Sequence, residues 1–204
     1  MNMSGSIIAT PGDPFGALYS LWLSVSEPIV AAFPHAPILI WTGQILTRLF
    51  GEVVAYNLMI LGGFMLTGSA GFALAYRLTR SVSAGFLTGL ILLVAPFHIA
   101  QALQHVGLAN LHWLLLFLLA LLWFDEQPTV NRGLVFGVSF AVTMLDSYLY
   151  GVFAILIVIL FAFWRFGRWL THSSRRSWGW HQWGSLALSL GLGFALVLPA
   201  INPL

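Results

Sequence analysis

The feature that most constrains this chain is a series of apolar segments that are long enough to cross a lipid bilayer. A spanning α-helix needs about 20 mainly apolar residues. Segments that meet or approach this length are residues 54–76, 82–103, 107–124 and 185–199. Only 7% of the residues are charged, whereas soluble domains carry about 25%. Because such a chain cannot cover a surface that faces water, the sequence predicts an all-α integral membrane protein.

One apolar stretch, residues 132–164, is too long for a single span. As one helix it would extend about 50 Å, whereas the hydrocarbon core is about 30 Å thick. The stretch contains a polar patch, Asp146-Ser147-Tyr148, which is followed by Tyr150-Gly151. This patch indicates the tip of a hairpin between two shorter helices, residues 132–145 and 149–164. The sequence therefore predicts about six transmembrane helices within residues 54–199.

The positions of the arginines favour six spans. All eight cations of the chain are arginines, and with six spans seven of them share one side. These seven are Arg77, Arg80, Arg132, Arg165, Arg168, Arg175 and Arg176. If residues 132–164 formed one helix, Arg132 would lie on the side opposite the cluster at residues 165–176. The positive-inside rule makes the arginine side cytoplasmic, so we predict a multi-pass protein of the cell's inner (plasma) membrane.

The chain before the first clear span has a different character. Its apolar segment at residues 15–33 is interrupted by Glu27 and Pro28, and the next one, Pro37–Phe50, is too short to span. We therefore expect residues 1–53 to form an extracytoplasmic loop with interfacial or re-entrant helices. A transmembrane hairpin is the alternative. Residues 54–199 would form the helical bundle, and residues 200–204 would begin an outer loop that this chain truncates.

Small residues at a spacing of four predict where helices pack closely. Gly85 and Gly89 form one such pair, and Gly133 and Gly137 form another. A third series, Ser185, Ser189 and Gly193, repeats the spacing in the last span. Small side chains at this spacing let two helix backbones approach each other. The pattern indicates packing and carries no chemistry.

With this orientation, most polar side chains of the spans collect on the outer side. His98, Gln101 and His105 are spaced i, i+3, i+7 and would share one face if the helix continues past Pro96. Ionisable residues near membrane depth are costly and often functional. Each also has a structural interpretation: Asn110 and His112 suit a membrane interface, and Asp146 suits a hairpin tip. The ligand spacing of a zinc site is absent, and no basic stripe supports binding of nucleic acid.

Several short motifs carry a resemblance to a known superfamily. They are Pro11-Gly12-Asp13-Pro14, Ala55-Tyr56-Asn57-Leu58, Leu74-Ala75-Tyr76-Arg77-Leu78-Thr79, Ala95-Pro96-Phe97-His98, His105, Leu111-His112-Trp113 and Asp146-Ser147-Tyr148-Leu149-Tyr150-Gly151. In this order, over most of residues 11–199, the sequence resembles bacterial multi-pass proteins of the C-type (GT-C) glycosyltransferase superfamily, especially mannosyltransferase-like members. The resemblance implies a bundle of helices and an outer loop that bears a catalytic acidic residue.

The resemblance also implies an activity, namely transfer of a sugar from a polyprenyl-phosphate donor to an extracytoplasmic acceptor. Asp13 would be the catalytic base that takes the acceptor's proton, although Gly-Asp-Pro is also turn chemistry in its own right. Substrate-binding positions would be Arg48, His98, Gln101, His105, Asp146 and Tyr148. The expected partners are membrane lipids and the lipid-linked donor, without nucleic acid. No cofactor is predicted, while a divalent metal at Asp13 is left open.

The chain departs from the superfamily's pattern at both ends. No helix precedes the acidic loop, and the family's chains continue well beyond a sixth such span, so we expect an N-terminal fragment whose own activity is left open. A transporter or channel subunit is the competing hypothesis, because polar groups lining a membrane cavity suit it too. Against it, residues 91–94 and 114–122, in the middles of two spans, are wholly apolar. A non-catalytic membrane scaffold is the third hypothesis.

Overall fold

The computed structural model describes residues 36–104, 106–170 and 178–201. Within these ranges the regular structure is entirely helical, as the sequence predicts. The helices are α1 (Pro37–Phe50), α2 (Glu52–Thr79), α3 (Val82–Val94), α4 (Pro96–Gln104), α5 (Val106–Ala109), α6 (His112–Glu126), α7 (Val130–Asp146), α8 (Tyr148–Leu170) and α9 (Trp180–Ile201). The first predicted region, up to residue 35, and the end of the chain from residue 202 lie outside the described residues.

Four of the described segments are long and apolar enough to cross a membrane. They are Glu52–Thr79, Gly107–Glu126, Tyr148–Arg168 and Trp180–Pro199. The bent pair Val82–Val94 and Pro96–Ala102 makes a fifth if it is one span. Large apolar side chains on the helix surfaces are exposed, as Met65 on α2 and Phe163 on α8 illustrate. An apolar exterior of this kind fits lipid as the surrounding solvent. The sixth predicted span, α7, has only 17 residues and stays a prediction.

Local chemistry explains where the first helices begin and end. Proline at the first position of α1, Pro37, needs no hydrogen-bond partner for its missing N–H. The helix stops at Gly51, whose φ of 80° is a conformation that glycine adopts readily. Ser81 caps α3, because its hydroxyl oxygen accepts a hydrogen bond from the Ala84 N–H at 3.3 Å.

The break that the sequence predicts within residues 132–164 is confirmed. Helix α7 ends at Asp146, and α8 begins at Tyr148. Between them, Ser147 is extended, with φ −151° and ψ 120°. The hairpin is also confirmed, because Arg132 at the start of α7 and Arg165 near the end of α8 bind the adjacent Glu126 and Asp125. A single extended residue therefore reverses the chain.

The segment at residues 82–103, predicted as one span, is bent by 46° between α3 and α4. The cause is Pro96, which has no N–H to donate to the carbonyl oxygen of Leu92, four residues earlier. The residue before a proline is also disfavoured in the helical conformation, and Ala95 has ψ 127°. The sequence analysis expected a single span through Pro96. The structure instead changes direction at this residue.

The core lies between α6, α7, α8 and α9. Four fully buried phenylalanines form its centre, namely Phe117 and Phe124 from α6 and Phe136 and Phe140 from α7. The rings of Phe124 and Phe136 stack, with centroids 5.5 Å apart and planes 14° apart. Ala154 and Val158 on α8 and Leu186 on α9 close the cluster. Aromatic pairs of this kind add about 1 kcal/mol each beyond the area that they bury.

The glycine seams that the sequence predicts are confirmed as close helix contacts. A Cβ at Gly133 would lie 2.5 Å from the Ser189 hydroxyl oxygen, so α7 packs directly on α9. At Gly89, a Cβ would lie 2.7 Å from the carbonyl oxygen of Gly68, so α3 packs directly on α2. A larger side chain at Gly89 would require a shift of the backbone, whereas at Gly133 the Ser189 hydroxyl would have to move.

Candidate functional site: a polar cavity at one end of the bundle

One end of the bundle, which we call the arginine end, consists of Arg77, Arg132, Arg165, Asp125 and Glu126. Arg77 lies 2.7 Å from the Glu126 carboxylate, and Arg132 lies 3.8 Å from the same group. Arg165 and Asp125 form a second ion pair, in which the side chains are 7% and 18% exposed. Arg132 also donates a hydrogen bond of 2.8 Å to the carbonyl oxygen of Trp123, near the end of α6. These contacts bring the ends of α2, α6 and α8 and the start of α7 together.

The opposite end of the same helices holds polar groups of a different kind. The Asn110 side-chain amide lies 3.4 Å from Oδ1 of Asp146, and thereby joins the segment before α6 to the end of α7. Tyr150, in the first turn of α8, donates a hydrogen bond to the carbonyl oxygen of Leu108. These side chains meet because the breaks before α6 and before α8 fall at the same level of the bundle.

A cavity of about 230 Å³ opens among these polar groups. Its polar walls are Asn110, His112, Trp113 and Asp146, and the other walls are mainly apolar residues of α1 and α2. The polar side chains are deeply buried, since Asp146 is 1% exposed and His112 is 4% exposed. We call this space the Asp146 cavity. It combines an apolar wall with a few convergent polar groups, which is the usual composition of a ligand site.

Two polar atoms at the Asp146 cavity make no well-formed hydrogen bond among the described residues. They are Oδ2 of Asp146 and Nδ1 of His112, both buried, and the Trp113 side chain interacts with the Asp146 carboxylate in addition to Asn110. A buried polar atom without a partner costs about 1–3 kcal/mol. A ligand with hydroxyl groups would satisfy both, because a hydroxyl can donate to a carboxylate and can also bond a ring nitrogen.

His98 is at the same end but has a structural setting. Its Nδ1 lies 3.0 Å from the carbonyl oxygen of Leu92, the group that Pro96 leaves without a backbone donor. The other ring nitrogen, Nε2, lies 2.8 Å from the carbonyl oxygen of Ala109. The ring stacks on Phe64 with centroids 4.1 Å apart. His98 therefore bridges both sides of the bend and is not a wall of the Asp146 cavity.

The other predicted site residues do not all gather at one place. Asp146 lines the cavity. Arg48 and Tyr148 are exposed and do not line it. Gln101 lies on α4, with its side-chain oxygen buried and without a partner in the described chain. Asp13 and His105 lie outside the described residues. The predicted binding or catalytic roles of these residues stay predictions.

The sequence analysis interpreted Asn110 and His112 as residues of the membrane interface and did not include them in the site. The structure places both beside Asp146 in the cavity wall. Both come directly before or at the start of α6, and Asp146 comes directly before the break that starts α8. Because α6 and α7 are antiparallel neighbours, the start of α6 and the end of α7 lie at the same end of the bundle. Polar residues that flank these two helix breaks could therefore have indicated the site from the sequence. Among the described residues, no group of three or more His, Asp or Glu side chains could hold a metal ion.

Comparison with known proteins adds no assignment. No protein-family model matches the sequence. Neither a curated protein nor a solved structure matches it significantly. The resemblance to the C-type glycosyltransferases therefore depends on the short motifs alone, and a proposal about activity must depend on the geometry of the site.

Proposed function

We propose that this chain belongs to a multi-pass membrane glycosyltransferase, which moves a sugar from a polyprenyl-phosphate donor to an extracytoplasmic acceptor. The observation that supports the proposal is that two buried polar atoms of one cavity, Asp146 Oδ2 and His112 Nδ1, make no well-formed hydrogen bond among the described residues. Sugar hydroxyls both donate and accept hydrogen bonds, so they match a carboxylate oxygen next to a ring nitrogen. The Asp146 cavity would hold the sugar of one substrate.

The proposed transfer also needs groups that do not line this cavity. A base must remove the proton of the acceptor hydroxyl, and Asp13 is the proposed base. The leaving phosphate needs positive charge or hydrogen-bond donors. Within the described residues no arginine lines the cavity. Of the groups that the sequence offers for this role, namely Arg48, His98 and His105, His98 has the structural setting described above, so Arg48 and His105 stay the proposed donors.

The orientation is part of the proposal. Six spans, with α7 as the sixth, would put the arginine end in the cytoplasm and the Asp146 cavity at the outer surface of the inner membrane. The gathering of Arg77, Arg132 and Arg165 at one end of the bundle supports it. A lipid-linked donor would then reach the cavity from the outer leaflet, where the acceptor also lies. Residues 1–53 would form the extracytoplasmic loop.

The test is a transfer assay in membranes with the full-length gene product and labelled polyprenyl-phosphate sugars. Asp13→Asn should abolish transfer, because it removes the base and keeps the shape of the side chain. Asp146→Asn should lower transfer at least tenfold, because the loss of one charged hydrogen bond to a substrate costs about 1.5–3 kcal/mol. Glu52→Gln, an exposed carboxylate on α2 outside the cavity, is the matched control and should keep activity.

Different results would overturn different parts of this proposal. Wild-type transfer by Asp146→Asn would remove the cavity from the reaction. Wild-type transfer by Asp13→Asn would return Asp13 to the role of a turn residue. If the intact protein, correctly folded in membranes, transfers none of the labelled sugars, the glycosyltransferase proposal fails.

One observation favours the second candidate, a transport protein. Helices α3 and α4 form a broken pair with a bend of 46°, and transporters often bind substrates at discontinuous helices. Uptake of a labelled polar solute by proteoliposomes that contain only this protein would favour transport. We rank this candidate second because the polar cavity lies at one end of the bundle instead of between its two ends.

A further inference from the structure

A second cavity, of about 520 Å³, is a groove between α6 and α7. Its walls are Trp113, Leu116, Leu119, Ala120, Trp123, Leu134, Val135, Val138, Ser139 and Val142, together with Arg77 from α2. From Trp113 to Trp123 the groove follows α6 for about 15 Å, at the rise of an α-helix. Except for Arg77, its lining is almost wholly apolar, so the groove suits a hydrocarbon chain.

Positive charge is concentrated where the groove reaches the arginine end. Arg77 lines the groove there, and the guanidinium of Arg132 stacks on the groove residue Trp123 at 4.9 Å. Arg80, three residues after Arg77 and just past the end of α2, is exposed. These three arginines have one nearby carboxylate among the ion pairs of the described residues, Glu126, which Arg77 and Arg132 share. The groove therefore ends at an excess of positive charge.

Arg77 itself has unused capacity to donate hydrogen bonds. Its side chain has five N–H groups, of which one nitrogen contacts Glu126 at 2.7 Å. Its Nε is buried and has no acceptor within the described chain. A phosphate brought to this end of the groove would add acceptor oxygens and a negative charge beside a guanidinium, which binds phosphates in a forked geometry.

We propose that this groove binds one acyl chain of an anionic phospholipid, whose phosphate lies at Arg77. The apolar walls select a hydrocarbon chain, and the excess of arginines selects a negatively charged head group over a zwitterionic one. The groove and the Asp146 cavity share Trp113 in their walls, but the lipid proposal does not depend on the proposed transferase activity. Glu126 would keep Arg77 in position while its other N–H groups bind the lipid.

The experiment titrates the purified full-length chain, in a neutral detergent, with phosphatidylglycerol and with phosphatidylcholine of the same acyl chains, and counts bound lipids by native mass spectrometry. The wild-type chain should prefer phosphatidylglycerol. Arg77→Gln should reduce this preference about fivefold, which corresponds to about 1 kcal/mol for one arginine near an anionic head group. Arg168→Gln, which changes an arginine outside the groove, should keep the preference.

A second pair of variants tests the groove without altering charge. Val138→Phe should fill the groove and weaken binding of both lipids. Val152→Phe places the same side chain at an exposed position of α8 outside the groove, and it should bind lipids like the wild type. This pair decides the proposal even if Arg77→Gln does not fold. Soluble glycerol phosphate should not displace the lipid, because it lacks the chain that the groove holds.

Equal retention of the two lipids by the wild type would overturn the proposal, and so would equal binding by Val138→Phe and Val152→Phe. Displacement by glycerol phosphate would identify a phosphate site without a lipid groove and would equally contradict it. If Arg168→Gln lowers the preference for phosphatidylglycerol as much as Arg77→Gln does, the preference comes from the general positive charge of the protein. That result would also overturn the proposed site.

Discussion

The two ends of the bundle differ in whether their buried charged side chains form ion pairs. At the arginine end, cations and carboxylates pair: Arg165 binds Asp125, and Arg77 binds Glu126. At the other end, Asp146 is 1% exposed and forms none of the ion pairs found among the described residues. Because the same helices form both ends, the difference comes from the side chains at each end and not from the fold.

This comparison separates charges that hold the bundle together from charges that are available to a ligand. An ion pair at a helix end joins two or three helices, and breaking it by removing one partner lowers stability. A buried carboxylate that has no cation to pair with lowers the stability of the free protein. Native proteins commonly accept such costs at functional sites.

The largest expected contrast is the accessibility of the two ends from opposite sides of the membrane. The natural chain has no cysteine, so single cysteines can be labelled without further changes. In intact cells, an impermeant thiol reagent should label Glu52→Cys and should label Arg80→Cys and Asn131→Cys only after permeabilisation. Labelling of positions 80 and 131 from opposite sides would disprove the proposed topology.

The next largest effect is expected at the buried ion pair. Asp125→Ala leaves Arg165, which is 7% exposed, without its carboxylate and should lower the free energy of unfolding by about 3 kcal/mol. The neighbouring Glu126→Ala is the control, because its ion pair with Arg77 is more exposed and contributes about 0–1 kcal/mol. Chemical unfolding in detergent measures both values. Equal losses for the two variants would contradict the assignment of Asp125 as a structural residue.

A smaller effect is expected where a hydroxyl supports the Asp146 cavity. Tyr150→Phe removes the donor to the Leu108 carbonyl oxygen and should lower stability by about 1–2 kcal/mol, because a buried acceptor loses its partner. The hydroxyl of Tyr148, two residues earlier, is on a side chain that is 50% exposed. Tyr148→Phe should therefore change stability by less than about 0.5 kcal/mol, and a loss as large as that of Tyr150→Phe would refute the distinction.

The smallest change in stability is expected at Asp146 itself. Asp146→Asn keeps the shape and removes a buried carboxylate that has no ion-pair partner in the described chain. Its free energy of unfolding should stay within about 1 kcal/mol of the wild type or rise, while the proposed transfer activity should fall. A loss close to that of Asp125→Ala would mean that Asp146, too, is mainly structural.

The sequence predicted those features that depend on short stretches of chain. The polar patch at Asp146 predicted the helix break, and the Gly133/Gly137 pair predicted close packing, because both depend on local residue types. The gathering of arginines at one end followed from the number of helix reversals between them. The Asp146 cavity was not predictable in this way, because it depends on Asn110 and Asp146, 36 residues apart, reaching one level.

His98 shows a second limit of sequence reasoning. Its position just after Pro96 is visible in the sequence, and it suggested a residue of the outer polar site. The structure instead places its ring between two carbonyl groups. Which acceptor a histidine meets depends on the size and direction of the bend, and a proline fixes neither by itself.

The bridge made by His98 also has a consequence for the order of events during synthesis. The Ala109 carbonyl that it contacts lies 11 residues further along the chain, so the ribosome must add that segment before the bridge can close. Until then the bend at Pro96 has lost a backbone hydrogen bond and has gained only the contact to Leu92. We therefore expect the hairpin of α2 and α3 to insert first, and the direction of α4 to be set only as α6 enters the membrane.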